Sequence, residues 1–477
     1  MGQERGGAVA VGRPTAKGTP LNFGDGAAFR LKSGRELARA LLVLRLCAFP
    51  RLVRHAGTIL ATSRKILGSR LWGGLLRATF YGQFVGGETP AEVTAAAGRL
   101  RAVGLRPMLA VPTEEDVGQE KDGEEWYEAN RGAALDCVGL AAATGPHPMM
   151  QLKVTALMSA RLCETVSRRL AEPEPELTLE RVTAVMGGED AAFPCLTPEE
   201  NRHLGVSLRR LDDVAGVRRG GAWPRCPGRG PHPPIGAVGN GGRDVFFLAQ
   251  HAATRGVRVL VDAEQSYVNP ALSLATLALM ARHNRASPWV WNTYQAYLQD
   301  GKRRLAGDAE AARRRGVCFG VKLVRGAYLE LERRRAREGG IPEPVHPDLD
   351  ATHRSYGECL ELALGLAARD GEGVGVMVAT HNEVSVLHAT QRMEELGIPR
   401  QGGGVCFGQL LGMCDHVSLA LGEAGYIVYK SVPYGGAEAT LPYLARRAQE
   451  NQGVLQAARR ERRLLARELR RRLLRRP

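Results

Sequence analysis

Two adjacent arginines, Arg446 and Arg447, stand in the stretch Tyr443-Leu444-Ala445-Arg446-Arg447-Ala448-Gln449-Glu450-Asn451, which reads as helix. Guanidinium forks grip carboxylates in two-pronged fashion, which lysine does not do. Neighbours on a helix point about 100° apart, so both reach one small anion only if it lies near the helix start. Glu450 follows them at helical spacing and can hold one guanidinium in place. The chemistry on offer is a carboxylate clamp, and the plain alternative is a solvated basic face.

Such a clamp needs a scaffold. After Trp72, short apolar runs alternate with helical stretches. They predict strands near Arg106–Val111, Met150–Val154, Arg258–Asp262, Trp289–Asn292, Val317–Val324, Val374–Thr380, Gly404–Phe407 and Gly425–Tyr429. Helices are expected at Pro90–Val103, Asn269–Asn284, Ala309–Arg315, Thr352–Ala368 and Glu383–Leu396, among others. This alternation points to an α/β chain folded as a distorted (β/α)8 TIM-type barrel, with an N-terminal helical extension and a basic C-terminal helix. An open doubly wound sheet would want a Gly-rich turn after its first strand, and none is there. Pro112–Gly132 is acidic and polar and reads as a long loop, while the Gly/Pro/Arg-dense residues 216–244 read as a flexible insertion.

Barrel sites lie at the C-terminal ends of the strands. The strand ends carry Lys153, Asp262-Ala263, Gln295, Lys322, Arg325-Gly326-Ala327-Tyr328, Thr380-His381-Asn382, Leu410 and Ser431, and the arginine helix follows. Singly, each has a plain explanation: Asp262 as a helix cap, His381 as a satisfied interior histidine, Lys322 and Arg325 as solvated charges. Together they make a polar, net positive mouth suited to phosphates and a carboxylate. They contain no Ser-His-Asp order and no metal-ligand cluster, which points to an organic cofactor as the carrier of the chemistry.

The formal charge of the 477 residues is +15. Residues 1–70 hold 13 Lys/Arg against 3 Asp/Glu, and residues 457–477 hold 10 Arg against 2 Glu, so the body between is slightly acidic. That distribution, with no nucleic-acid-binding motif, argues against nucleic acid as a partner. Residues 1–70 have the Arg-rich, acid-poor composition of a mitochondrial targeting segment, Glu4 and a Gly-rich start aside. The tail from 457 reads either as a helix lying on an anionic membrane or as a solvated terminal helix. Nine scattered cysteines without a CxxC suggest neither a disulfide framework nor a zinc site.

Thr79-Phe80-Tyr81-Gly82-Gln83-Phe84, Val261-Asp262-Ala263-Glu264-Gln265, Val321-Lys322-Leu323-Val324-Arg325-Gly326-Ala327-Tyr328 and the arginine stretch occur in the order in which the proline dehydrogenase family has similar motifs. The resemblance spans roughly residues 71–456. It implies a barrel holding FAD non-covalently, hydride transfer from a ring amino acid to flavin N5, and electrons passed to ubiquinone on the matrix side of the mitochondrial inner membrane. It implies that Arg446, Arg447 and Lys153 hold the carboxylate, that Asp262 orients that cluster, and that Tyr328, Leu410 and Ala327 wall the ring. Lys322 stands where bacterial members have an arginine near the flavin. Ala263, Gln295, Arg325, Gly326, Thr380, His381 and Asn382 would contact FAD, and Glu114 or Glu115 would act as a lid. Where proline-oxidising members carry a tyrosine over the ring, this chain has Ser431, so it resembles the hydroxyproline-oxidising branch. The expected reaction converts trans-4-hydroxy-L-proline to 3-hydroxy-1-pyrroline-5-carboxylate, with L-proline as the alternative substrate. A non-catalytic protein that binds RNA or membrane through its basic ends is the reading from another class, and a metal-dependent barrel lyase is a third.

Overall fold

A computed structural model describes residues 21–24, 26–111, 123–172, 176–216, 256–440, 443–447 and 455–474. The insertion expected at 216–244 lies, after Gly216, outside them, as do Glu114, Glu115 and Glu450.

The strands are β1 (Arg106–Ala110), β2 (Met149–Leu152), β3 (Arg258–Val261), β4 (Val290–Gln295), β5 (Phe319–Val324), β6 (Val374–Ala379), β7 (Val405–Leu410) and β8 (Val428–Pro433). Each pairs in parallel with the next and β8 pairs with β1, so the sheet closes into an eight-stranded barrel. Successive residues of a strand alternate between the barrel interior and the surrounding helices. The interior floor is apolar: Met108, Met149, Leu260, Trp291, Met377, Cys406 and Tyr429 form one buried cluster. Glycine makes room for the indole there, since a Cβ at Gly320 or Gly375 would stand 2.5 or 2.3 Å from Trp291. Two residues further along the same strands the interior turns polar, with Gln151, Asp262, Thr293, Lys322 and Ser431 beside the small Ala110, Ala379 and Gly408. The floor keeps water out, and the small residues leave space above it.

Three expectations shift. Residues 112–132 are not one loop, because a helix runs over Glu124–Ala142 with Tyr127, Ala134 and Cys137 buried. Its acidic start conceals a surface face: Glu124 is bonded to Arg210 and lies 2.7 Å from His203. The last strand begins later than expected, because Gly425 (φ 83°) turns the chain first and the polar pair Lys430-Ser431 belongs to the strand. The C-terminal helix Leu455–Leu474 is neither a free tail nor a fully solvated helix, since Glu461, Leu464, Leu465 and Glu468 form a buried stripe at helical spacing.

That helix packs against the helix Gly34–Leu46, so the described parts of both basic ends are built into the fold. Arg472 donates to the carbonyls of Phe29 (3.0 Å) and Lys32 (2.7 Å). Glu461 accepts the backbone N–H groups of Cys414 (3.0 Å) and Asp415 (2.8 Å), which start the helix Asp415–Glu423. Asp415 is buried between Lys32 and Lys430, and both ammonium groups hold its carboxyl well below the usual range although burial opposes this.

His416 lies beside this clasp, with Nε2 2.9 Å from Glu383 and Nδ1 4.0 Å from Glu461. Burial works against its charge, but the two carboxylates outweigh it and raise the ring from 6.5 to about 9. A raised folded-state pKa stabilises fully below the unfolded value and loses its contribution as pH rises through the folded one. The clasp is therefore expected to weaken between pH 6.5 and about 9. In that window the melting temperature of the wild type should fall more steeply than that of His416→Gln, and parallel curves would contradict the assignment.

Candidate functional site

The polar layer above the barrel floor is one connected network. Lys322, from β5, donates to Asp262 Oδ1 at 2.7 Å. Gln151, from β2, donates through Nε2 to both Asp262 oxygens, at 3.1 and 3.2 Å. Ser431, from β8, donates its hydroxyl to Gln151 Oε1. Four strands thus place a cation, a carboxylate, an amide and a hydroxyl in a row across the mouth. The expectation that Asp262 is a simple helix cap fails, and its pairing with Lys322 brings both predicted catalytic residues together.

Lys153 continues β2 and donates to the Tyr328 hydroxyl at 3.1 Å, which unites two residues predicted to meet the substrate. Glu264 locks the ends that carry Lys153 and Asp262. Its buried carboxylate accepts the Thr155 N–H (3.2 Å) and hydroxyl (2.6 Å). Gln295 is buried and donates to the Glu264 carbonyl at 2.9 Å. Ala263 is half-buried beside it, and Ala327 is exposed at the rim. Gly326 (φ 134°) is fixed sterically, because a Cβ there would lie 2.1 Å from the Tyr297 ring.

Arg325 is held by neutral groups. It donates to His353 Nδ1 (3.0 Å), Thr380 Oγ1 (2.8 Å) and Ser385 Oγ (2.8 Å), and its guanidinium lies 4.2 Å from the centre of the Tyr356 ring. Burial and the Arg325 charge lower the His353 pKa, so its nitrogen is available as an acceptor. No ion pair of Arg325 with a carboxylate occurs among the described residues. Asn382 caps the helix Glu383–Glu395, its Oδ1 accepting the Ser385 N–H at 3.0 Å. A helix N-terminus beside a guanidinium without an acid is a place for an anion such as a phosphate. His381 Nε2 accepts the Leu410 N–H at 3.1 Å. Burial, then Lys430 and Arg447, lower its pKa to about 3, so the ring is neutral and ties the end of β6 to that of β7.

Residues 443–447 are helical. Arg447 is 9% exposed, and its guanidinium stacks 4.7 Å from the centre of the Tyr443 ring. Its charge is among those that lower the His381 pKa. Arg446 is half-buried on the same turn. Tyr443 and Leu444 are buried with Val43, Trp72, Leu76 and Met413, and Leu410 packs against that cluster. The N-terminal helices are therefore the seat of the arginine helix. The short helix Phe80–Phe84 staples the adjoining loops, with Gln83 donating to the Gly412 carbonyl (2.8 Å) and Tyr81 to that of Gly435 (2.8 Å).

Sequence reasoning assigned no role to Gln151, Glu264, His353 or Ser385. The alternation of β2 gave a signal for Gln151, because the residue two before an inward lysine is itself inward. Ser385 stands three residues after the capping Asn382, a spacing readable in the chain.

The proline dehydrogenase family profile matches residues 117–460. A hydroxyproline dehydrogenase from Xenopus laevis is 50% identical over 95% of this chain and 90% of its own length. The human hydroxyproline dehydrogenase is 52% identical over 97% and 96%. The human mitochondrial proline dehydrogenase 1 is 34% identical over 98% and 92%. Among solved structures, proline utilization A from Bdellovibrio bacteriovorus, inactivated by N-propargylglycine, superposes with a TM-score of 0.57 at 20% identity over 90% of this chain, which spans 36% of that longer one. That likeness supports the fold. With the family profile covering most of the barrel and relatives covering nearly the whole chain, the protein belongs to the proline dehydrogenase family and is a dehydrogenase.

Proposed function

We propose that the protein oxidises trans-4-hydroxy-L-proline to 3-hydroxy-1-pyrroline-5-carboxylate, with FAD as its redox group and ubiquinone as the electron acceptor. The observation that carries the substrate is Ser431, joined to Gln151 at the ring end of the site. A polar pair there favours a hydroxylated ring, because a site built to bond a hydroxyl discriminates better than one that merely tolerates it. The higher identity to relatives named hydroxyproline dehydrogenase than to those named proline dehydrogenase supports the same choice.

The donor set fits FAD: Arg325, without an acid partner among the described residues, and the helix N-terminus at Asn382 suit the phosphates, and Lys322, Gln295 and Thr380 surround the mouth. When bound, FAD supplies the hydride acceptor. Arg446, Arg447 and Lys153 take the substrate carboxylate and fix the ring in register. The surrounding positive charge favours the neutral amine, from which the ring carbon can lose a hydride while the nitrogen loses its remaining proton. Lys322, oriented by Asp262, places a positive donor where negative charge develops. The test is kcat/KM for trans-4-hydroxy-L-proline against L-proline. A preference of at least about tenfold for the hydroxylated substrate is expected, and a preference for L-proline would favour the alternative.

A mitochondrial, matrix-side location at the inner membrane suits a quinone acceptor. No described helix is long and apolar enough to cross a membrane. The N-terminal helices instead leave Leu42, Phe49, Leu52, Ile66, Leu71 and Leu75 exposed, within residues 37–87 that hold eight Lys/Arg and no Asp/Glu. An apolar face with basic flanks matches an anionic bilayer surface, and it replaces the C-terminal tail as the membrane candidate. Ile66→Asp with Leu71→Asp should lower binding to anionic phospholipid vesicles by at least about tenfold. Unchanged co-sedimentation would remove this face from the account.

A further inference from the structure

The amide of Gln151 stands between the ion pair and the hydroxyl, and its orientation is set by what it touches. Asp262, paired with Lys322 at 2.7 Å, offers acceptors only. Both its oxygens meet Gln151 Nε2, so the NH2 end faces Asp262 and Oε1 faces Ser431. An amide oxygen cannot donate. Ser431 has one hydroxyl hydrogen, which goes to Gln151, and it keeps its lone pairs.

We infer that Gln151 is a positioning residue for substrate choice: by taking the Ser431 hydrogen, it makes Ser431 a hydrogen-bond acceptor toward the ring. The site then selects a substituent that donates, such as a 4-hydroxyl, over one that only accepts. The direction of donation runs from the substrate to Ser431, from Ser431 to Gln151, and from Gln151 to Asp262, where Lys322 donates from the other side. One row of bonds thus ties substrate choice to the charged pair at the reacting end. This inference rests on the proposed oxidation of a ring amino acid and adds to it the polarity of the recognising bond.

The chain supplies the space for this arrangement. Ala110, on the β1 strand between β8 and β2, is small, so the Gln151 and Ser431 side chains meet across it. A serine alone, without an amide of fixed orientation, rotates its hydroxyl and donates or accepts as the ligand demands.

The test uses the FAD-loaded enzyme and three substrates: trans-4-hydroxy-L-proline, L-proline and trans-4-fluoro-L-proline. Fluorine occupies the same position on the ring and donates nothing. In the wild type, kcat/KM for the hydroxylated substrate should exceed that for the fluorinated one by about tenfold or more. Gln151→Leu frees the Ser431 hydroxyl to rotate and should lower the ratio of hydroxyproline to fluoroproline kcat/KM by about tenfold. In a Ser431→Ala background the same substitution should move that ratio less than about twofold, because the two residues act through one bond. A merely structural role for Gln151 would lower both substrates together and leave the ratio in place, which overturns the inference. Equal use of the fluorinated and hydroxylated substrates by the wild type overturns it as well, and that comparison stands even where Gln151→Leu fails to fold. A wild type that oxidises neither hydroxyproline nor proline sinks the proposed function too. One that prefers hydroxyproline but treats the fluoro analogue as its equal sinks only the polarity.

Discussion

Arg447→Met is expected to lower kcat/KM for the imino acid by at least about a hundredfold, with most of the loss in KM. Arg447 is the more deeply buried of the two arginines, and its charge reaches as far as His381. Truncating one partner of a desolvated, hydrogen-bonded charge pair costs about 2–5 kcal/mol, much of it from the carboxylate left without its counter-charge. Methionine keeps the length of the side chain and a favourable contact with the Tyr443 ring, so the helix keeps its seat. Steady-state kinetics with flavin content as the folding control reads the effect. Arg446→Met should act in the same direction. If either variant kept its turnover and apparent affinity, the carboxylate would not be held where the account puts it.

Asp262→Ala is expected to lower kcat/KM by about 10²–10³-fold, with kcat falling more than in the arginine variants. The substitution removes the carboxylate paired with Lys322, a residue that is 8% exposed, and both acceptors of the Gln151 amide. A cation left buried without compensation costs about 3–5 kcal/mol, which the site recovers only by moving Lys322. Asp262→Asn should retain more activity than the alanine variant, because its oxygen still accepts one bond. Equal losses in the two variants would mean that charge and not position is what Asp262 supplies.

The barrel was legible because short apolar runs separated by helical stretches have few other closures. The strands that run on past their expected ends are β4, β7 and β8. They continue through Asn292 to Gln295, through Gly408-Gln409-Leu410 and through Lys430-Ser431, because there the strand leaves the apolar floor and enters the site. Polarity read as the end of a strand is, at a barrel mouth, the beginning of function. Lys153, Asp262, Lys322 and the two arginines were found from their types; Glu264, charged but spent on Thr155, was not. Gln151 was not either: the alternation of β2 turns it inward, but a neutral amide shows no chemistry of its own until its neighbours are known. The C-terminal helix was misread for a related reason: with so many arginines, its charge outweighed the four-residue stripe that the fold uses. That the N-terminal helices support Tyr443 and Leu444 was beyond reach, since nothing local couples segments so far apart in the chain.

Anaerobic addition of trans-4-hydroxy-L-proline to the FAD-loaded enzyme, followed by absorbance, tests hydride transfer to the flavin without an added acceptor. The oxidised flavin bands are expected to bleach fully at stoichiometric substrate, and faster than with the same amount of L-proline. Bands that stay unchanged with both compounds would contradict it.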